Sequence, residues 1–167
     1  MHSYYEDIAP RLTSFLVANG TSYDQACDLV QETFIRIWQK RSELTQDDSI
    51  SGLAFRIAKN LRIDDFRKAK REILVDEYED SSVPTVENPA ANERQDEYIR
   101  DCVTKALMQL PEDYRICYTL YNLGELSVKE ISAQLNISES LVKVRIHRAK
   151  EKLSGILSYL KEDVCGA

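Results

Sequence analysis

The sequence predicts an all-α protein of two small helical domains joined by an acidic linker. Three observations predict it. Apolar residues recur at helical spacing through most of the 167 residues, with no strand-like alternation of useful length. Helix breakers are few, with five Gly and four Pro. One stretch, residues 74–91, is aperiodic and rich in acids, and it separates two periodic halves. The expected division is therefore 1–73, a linker over 74–91, and 92–167. An apolar fraction of 43% supplies a core, and a charged fraction of 30% supplies a solvated surface.

The first helix is expected in "SYYEDIAPRLTSFLVANG", where Ile8, Leu12, Phe15 and Leu16 share a face. Gly20 suits its end, and Pro10 restricts its first turns. "TSYDQACDLVQETFIRIWQKR" begins with Ser22 and Gln25 in capping-box spacing. Its apolar stripe is Ala26, Leu29, Val30, Phe34, Ile37 and Trp38. The polar segment "SELTQDDSIS" reads as a loop. "GLAFRIAKNLRIDDFRKAKRE" then forms a helix with Leu53, Phe55, Ile57, Ala58, Leu61 and Phe66 as its apolar positions.

After the linker, "NERQDEYIRDCVTKALMQL" places Tyr98, Cys102, Leu107 and Leu110 near one face. Pro111 suits the first position of the next helix, "PEDYRICYTLYNLG", which should stop near Gly124. "SVKEISAQL" opens with a second capping box, Ser127 and Glu130. Asn136 tolerates the left-handed turn that follows. Ser138 caps the last helix.

The overall charge of −6 conceals a sharp asymmetry. Phe34–Arg71 holds ten basic and five acidic residues, whereas Glu72–Asp101 holds ten acidic and two basic. A basic block inside an acidic chain is an electrostatic footprint for nucleic acid. The four cysteines form no C-x-x-C pair, and the only histidines are His2 and His147. No metal site or cofactor is expected, and Cys27, Cys102 and Cys117 read as buried thiols. There is no nucleophile–base pair and no phosphate-cradling Gly loop, so enzymatic chemistry is not expected. The chain lacks an apolar run of membrane-spanning length, and "MHSYYEDIAP" is not a secretory signal. A cytoplasmic location is expected.

"SVKEISAQLNISESLVKVRIHRAKEKL" is the clearest motif: a short capped helix, a turn and a second capped helix. Val128, Ile131, Leu135, Ile137, Val142, Ile146, Ala149 and Leu153 fit one shared core. The opposite face presents Ser140, Lys143, Val144, His147 and Arg148, the candidate major-groove contacts. A helix-turn-helix occurs in repressors and in polymerase specificity factors alike, so the first half must decide between them.

"DLVQETFIRIW", "FRIAKNLRIDDFRKAKR", the linker, "LPEDYR" and the turn motif together resemble the extracytoplasmic-function class of bacterial sigma factors. The order and spacing match over about residues 4–160. The resemblance implies a sigma-2-like first domain that grips core RNA polymerase and opens the promoter near −10. It implies a sigma-4-like second domain that reads the −35 element. The partners it implies are the β′ and β subunits of polymerase, promoter DNA and an anti-sigma factor. Asp28, Gln31, Glu32, Ile35 and Trp38 match the segment that docks on a β′ coiled coil, with Trp38 expected in the core rather than as a direct contact. Arg56, Lys59, Arg62, Arg67, Lys68, Lys70 and Arg71 are the implied phosphate contacts near −10, and Asn60 the implied base contact. The loop Leu44–Ser51 corresponds to the family's holder of a flipped base. Phe55 and Phe66 are expected in the core, with base stacking as their other possible role. In the family the linker follows the RNA exit path. Asp76, Glu77, Glu79, Asp80 and Glu87 either mimic RNA phosphates there or simply keep the chain soluble.

Two departures stand out. Leu53, preceded by Gly52, occupies the place of a common Trp, so an aromatic wedge is missing. Val144 replaces a small hydroxyl residue, which favours apolar contact with a thymine methyl. Specific promoter binding is expected mainly in the polymerase complex, because the tether and grip repel phosphate. The competing reading is a stand-alone helix-turn-helix regulator. A third is a protein-binding adaptor.

Overall fold

Seven α-helices and no strand make up the described residues, which are 2–45, 49–73 and 91–165 of a computed structural model. They are α1 (His2–Ala18), α2 (Tyr23–Gln39), α3 (Ile50–Ile73), α4 (Ala91–Met108), α5 (Glu112–Asn122), α6 (Val128–Leu135) and α7 (Glu139–Cys165). The expected all-α class holds. The acids of residues 74–90 and part of the Leu44–Ser51 loop lie outside the described residues.

Local chemistry fixes most boundaries. Gly20 takes φ +92 just beyond α1, a conformation that costs glycine little. Pro10 lies within α1, which continues through it. Ser22 accepts from the Gln25 amide at 3.4 Å, but the Gln25 side chain meets the Ser22 hydroxyl instead of the cap's own N–H, so the box is only half made. Pro111 is the N-cap of α5, one position before the expected first turn. At the other end of α5, Gly124 is needed for space. A Cβ there would lie 2.4 Å from the Leu120 carbonyl oxygen, while Glu125 takes the left-handed φ of 51.

Helices α1, α2 and α3 close around Ile8, Leu12, Phe15, Leu16, Ala26, Val30, Ile37 and Phe55. The rings of Phe15 and Phe55 meet edge to face at 5.4 Å. The same apolar cluster continues into Cys117, Leu120, Leu126, Ile131, Val142 and Ile146 of the second half. A smaller cluster gathers Ala18 with Ala106, Leu107, Leu110, Ala149 and Leu153. The two helix groups therefore pack directly on each other, an arrangement that periodicity did not foretell.

Several side chains depart from expectation. Trp38 is 53% exposed, not in the core, because it sits at the far end of α2, where Arg41 covers its ring at 4.3 Å. Phe66 is also 53% exposed, beneath the Arg62 guanidinium, past the point where α1 and α2 cover α3. Phe55 is fully buried, as expected. Cys117 is buried, but Cys27 and Cys102 are only partly so. Tyr98 points outward, whereas Leu107 and Leu110 are buried.

Candidate nucleic-acid interface

The helix-turn-helix is built from its caps. The Ser127 hydroxyl accepts from the Glu130 amide at 3.2 Å, and the Glu130 carboxylate accepts from the Ser127 amide at 2.8 Å. Asn136 closes α6 at φ 54, ψ 47, and the Ser132 hydroxyl donates to the Ile137 carbonyl across the turn. The Ser138 hydroxyl then receives the Leu141 amide at 3.2 Å and starts α7. These bonds fix the angle between the two helices.

Val142, Ile146, Ala149 and Leu153 turn the buried face of α7 inward. Ser140, Lys143, Val144, His147 and Arg148 are consequently all exposed on its other side. Arg148 reaches the Tyr114 hydroxyl at 3.5 Å, and this contact raises its already high pKa. Arg145 is held at 2.8 Å by Asp113, on the flank of the reading face. His147 lies 3.3 Å from the Glu151 carboxylate. The face thus offers two cationic donors, a hydroxyl, an imidazole and one apolar contact.

The basic series of α3 divides in two. Arg56, Asn60, Arg67, Lys68, Lys70 and Arg71 are exposed. Lys59 and Arg62 are turned inward, with 7% and 5% exposure, against the second helix group. The Lys59 ammonium donates to the Gln134 carbonyl at 3.0 Å. Burial, and secondarily the neighbouring Arg56, lowers its pKa. Arg62 donates to the Asn19 carbonyl at 3.0 Å and meets Glu112 at 3.5 Å. Its pKa is also lowered by burial, with Glu112 opposing the shift. The expectation of a wholly solvent-facing cationic row fails for these two residues, because α5 and α6 cover them.

Along α2, Asp28, Gln31, Ile35 and Trp38 form one exposed face. Glu32 is partly covered and pairs with Arg36 at 2.7 Å. This surface is acidic, with apolar patches at Ile35 and Trp38.

A further set of polar residues gave no local signal in the sequence. Asn19 is 1% exposed and donates to the Thr119 hydroxyl at 3.0 Å. Arg115 donates to the Asn19 side-chain oxygen at 3.4 Å. Arg11 donates to the Leu123 and Gly124 carbonyls at 2.9 and 2.7 Å. The Gln134 amide donates to the Gly52 carbonyl at 2.9 Å. Among the described residues no group of His, Cys, Asp and Glu could hold a metal ion, and no helix is long and apolar enough to cross a membrane.

Comparison with known proteins agrees with this layout. Residues 4–72 match the family model for sigma-70 region 2, and residues 100–153 match that for sigma-70 region 4. The chain is 31% identical over 142 residues to the ECF RNA polymerase sigma factor SigM of Bacillus subtilis, covering 85% of each. It is 30% identical over 155 residues to the ECF RNA polymerase sigma factor SigL of Mycobacterium tuberculosis, covering 92% of this chain and 86% of SigL. Its fold is like that of the sigma factor RpoE of Bartonella quintana, solved in complex with the anti-sigma factor NepR. The TM-score is 0.71 at 22% identity, over 94% of this chain and 96% of that one. The chain belongs to the ECF family of RNA polymerase sigma factors.

Proposed function

We propose that this chain is an alternative sigma factor that binds core RNA polymerase, recognises −10 and −35 elements, and is itself controlled by an anti-sigma factor. The observation that carries the reading is the outer face of α7. Ser140, Lys143, Val144, His147 and Arg148 are exposed together on a helix whose start is fixed by caps and whose back is buried. Lys143 and Arg148 suit guanine or phosphate, and Val144 suits a thymine methyl. Residues 92–167 form the −35 reading domain in this account, and 1–73 the domain for polymerase and −10.

The exposed α3 residues Arg56, Asn60, Arg67, Lys68, Lys70 and Arg71 supply the −10 contacts, joined by Lys59 and Arg62 once these are uncovered. Asp28, Gln31, Glu32, Ile35 and Trp38 supply the polymerase grip. Exposed carboxylates beside apolar side chains suit a partner helix that carries arginines. The protein directs polymerase and performs no catalysis of its own, and it works in the cytoplasm. A stand-alone regulator is not favoured, because both sigma regions are matched. An anti-sigma partner is inferred from the likeness to RpoE, which was solved with one.

Run-off transcription with core polymerase on a genomic promoter library tests the reading. Discrete transcripts that depend on this chain are expected, and their upstream sequences should share two motifs. Transcription unchanged by its addition would overturn the reading.

A further inference from the structure

Consecutive side chains at the start of α5 hold two arginines of α7 in different ways. Asp113 meets Arg145 at 2.8 Å, and the Tyr114 hydroxyl accepts from Arg148 at 3.5 Å. The two arginines lie one helical turn apart, at the edge of the reading face and on it. Arg145 is paired with a carboxylate, keeps a side-chain exposure of 19%, and also meets the Cys117 thiol. Its charge is answered inside the protein, so giving it to DNA would first cost that pair. Arg148 is exposed and meets a neutral hydroxyl instead. A phenol leaves the guanidinium charge whole and occupies one of its five N–H donors. The rest of the fork stays open for two parallel bonds to guanine O6 and N7.

Tyr114 is itself well anchored. Its ring is half-buried against the cluster that contains Leu107, Leu110 and Ala149. Its amide donates to the Pro111 carbonyl at 3.0 Å, which fixes the backbone of the turn. Ala149 directly follows Arg148, so the tyrosine ring and the root of the arginine share one packed support. The hydroxyl therefore stands at a fixed point beside α7. At 3.5 Å the contact is loose, and it restricts the arginine without competing strongly with a base. An arginine left unbraced must give up its side-chain freedom on docking, which weakens binding about 2- to 12-fold.

We propose that Tyr114 is a positioning residue for −35 reading: its hydroxyl holds Arg148 ready for the groove, while the neighbouring Asp113 withholds Arg145 from DNA. The proposal deepens the sigma-factor reading and rests on it for its purpose. Holoenzyme carrying Tyr114→Phe, which keeps the ring and removes the hydroxyl, is compared with wild type by selecting promoters from a randomised −35 library. Arg148→Ala identifies the base pair that Arg148 reads. Preference at that pair should fall about 2- to 12-fold in Tyr114→Phe, with preferences elsewhere and the thermal midpoint unchanged. In the Arg148→Ala background, Tyr114→Phe should change nothing further. Relaxation of the arginine Nε–H groups in the free, ¹⁵N-labelled full chain reads the brace itself. Arg148 should lose order in Tyr114→Phe, and Arg145 should keep its own.

A uniform loss over all −35 positions, or an equal effect of Tyr114→Phe with and without Arg148, would make Tyr114 a packing residue and overturn the proposal. An Arg148→Ala profile identical to wild type would overturn it as well. Unchanged order of Arg148 in Tyr114→Phe would overturn the brace, whatever transcription showed. If the wild-type holoenzyme selected no promoter while Arg148 lost order as described, the sigma-factor reading would fall and the brace would stand.

Discussion

The Lys59 ammonium donates to the main-chain carbonyl of Gln134 at 3.0 Å, joining residues 75 positions apart. That bond ties a helix from the basic block to the helix-turn-helix. Burial of the ammonium at this contact lowers its pKa below the ordinary 10.5, and the neighbouring Arg56 adds to the effect. A folded-state value below the unfolded one means that the unfolded chain binds more protons between the two. The penalty for the buried charge is therefore fully present below the folded value and fades as pH rises toward 10.5. Lys59→Met should raise the urea midpoint at neutral pH and flatten the climb toward alkaline pH relative to wild type. A midpoint that falls by the same amount at every pH would contradict this.

Asn19 and Thr119 carry a second prediction. The Thr119 hydroxyl accepts from Asn19 and donates to the Arg115 carbonyl at 2.8 Å, with both side chains buried. Thr119→Val keeps the shape and removes the partner, so stability should fall by about 1–3 kcal/mol in urea. A change within experimental error would show that the amide finds another acceptor.

Adjacent positions in the α5–α6 turn should respond with opposite signs. Gly124→Ala forces a Cβ against the Leu120 carbonyl, a backbone atom that cannot swing aside. It should cost about 1–3 kcal/mol, as overpacking does. Glu125→Gly relieves a left-handed non-glycine residue and loses only an exposed ion pair with Arg11, so it should be neutral or stabilising. Thermal unfolding of the two variants decides the matter.

Exposed grip residues should separate binding from stability. Glu32 pairs with Arg36 across one helical turn, with both side chains near half exposure. Glu32→Ala should change stability by less than about 0.5 kcal/mol. Affinity for core polymerase should drop about tenfold, as a lost charged interface contact implies. Equal losses in both measurements would assign Glu32 to the fold alone.

On the reading face, Lys143→Ala and Arg148→Ala should each lower −35-dependent transcription by about 5- to 150-fold, the range for a lost base contact of about 1–3 kcal/mol. Val144→Thr should move the preferred −35 sequence without unfolding the chain. Selection of bound promoters from a randomised −35 library reads out both effects.

What the sequence disclosed was mostly local. The Ser127–Glu130 box, the Asn136 turn and the Ser138 cap depend on neighbours within five positions, and each formed as expected. The aromatics were less legible. Trp38 and Phe66 have core-type side chains but lie where the neighbouring helices no longer cover them. The contact between the halves includes hydrogen bonds spanning 75 to 113 positions, such as Lys59 to Gln134 and Arg11 to Gly124, which periodicity cannot register. One signal was nonetheless present. Lys59 and Arg62 follow Phe55 at helical intervals of four and seven, which puts them on the buried stripe and not the solvated one.

The central claim is that both halves of this chain act on one promoter while a single polymerase holds them. Transcription by the reconstituted holoenzyme from templates that differ only in the spacing between −10 and −35 tests it most directly. The account predicts a sharp optimum, with activity collapsing when a few base pairs are inserted and when either element is scrambled. Transcription indifferent to the spacing, or intact after loss of one element, would contradict it.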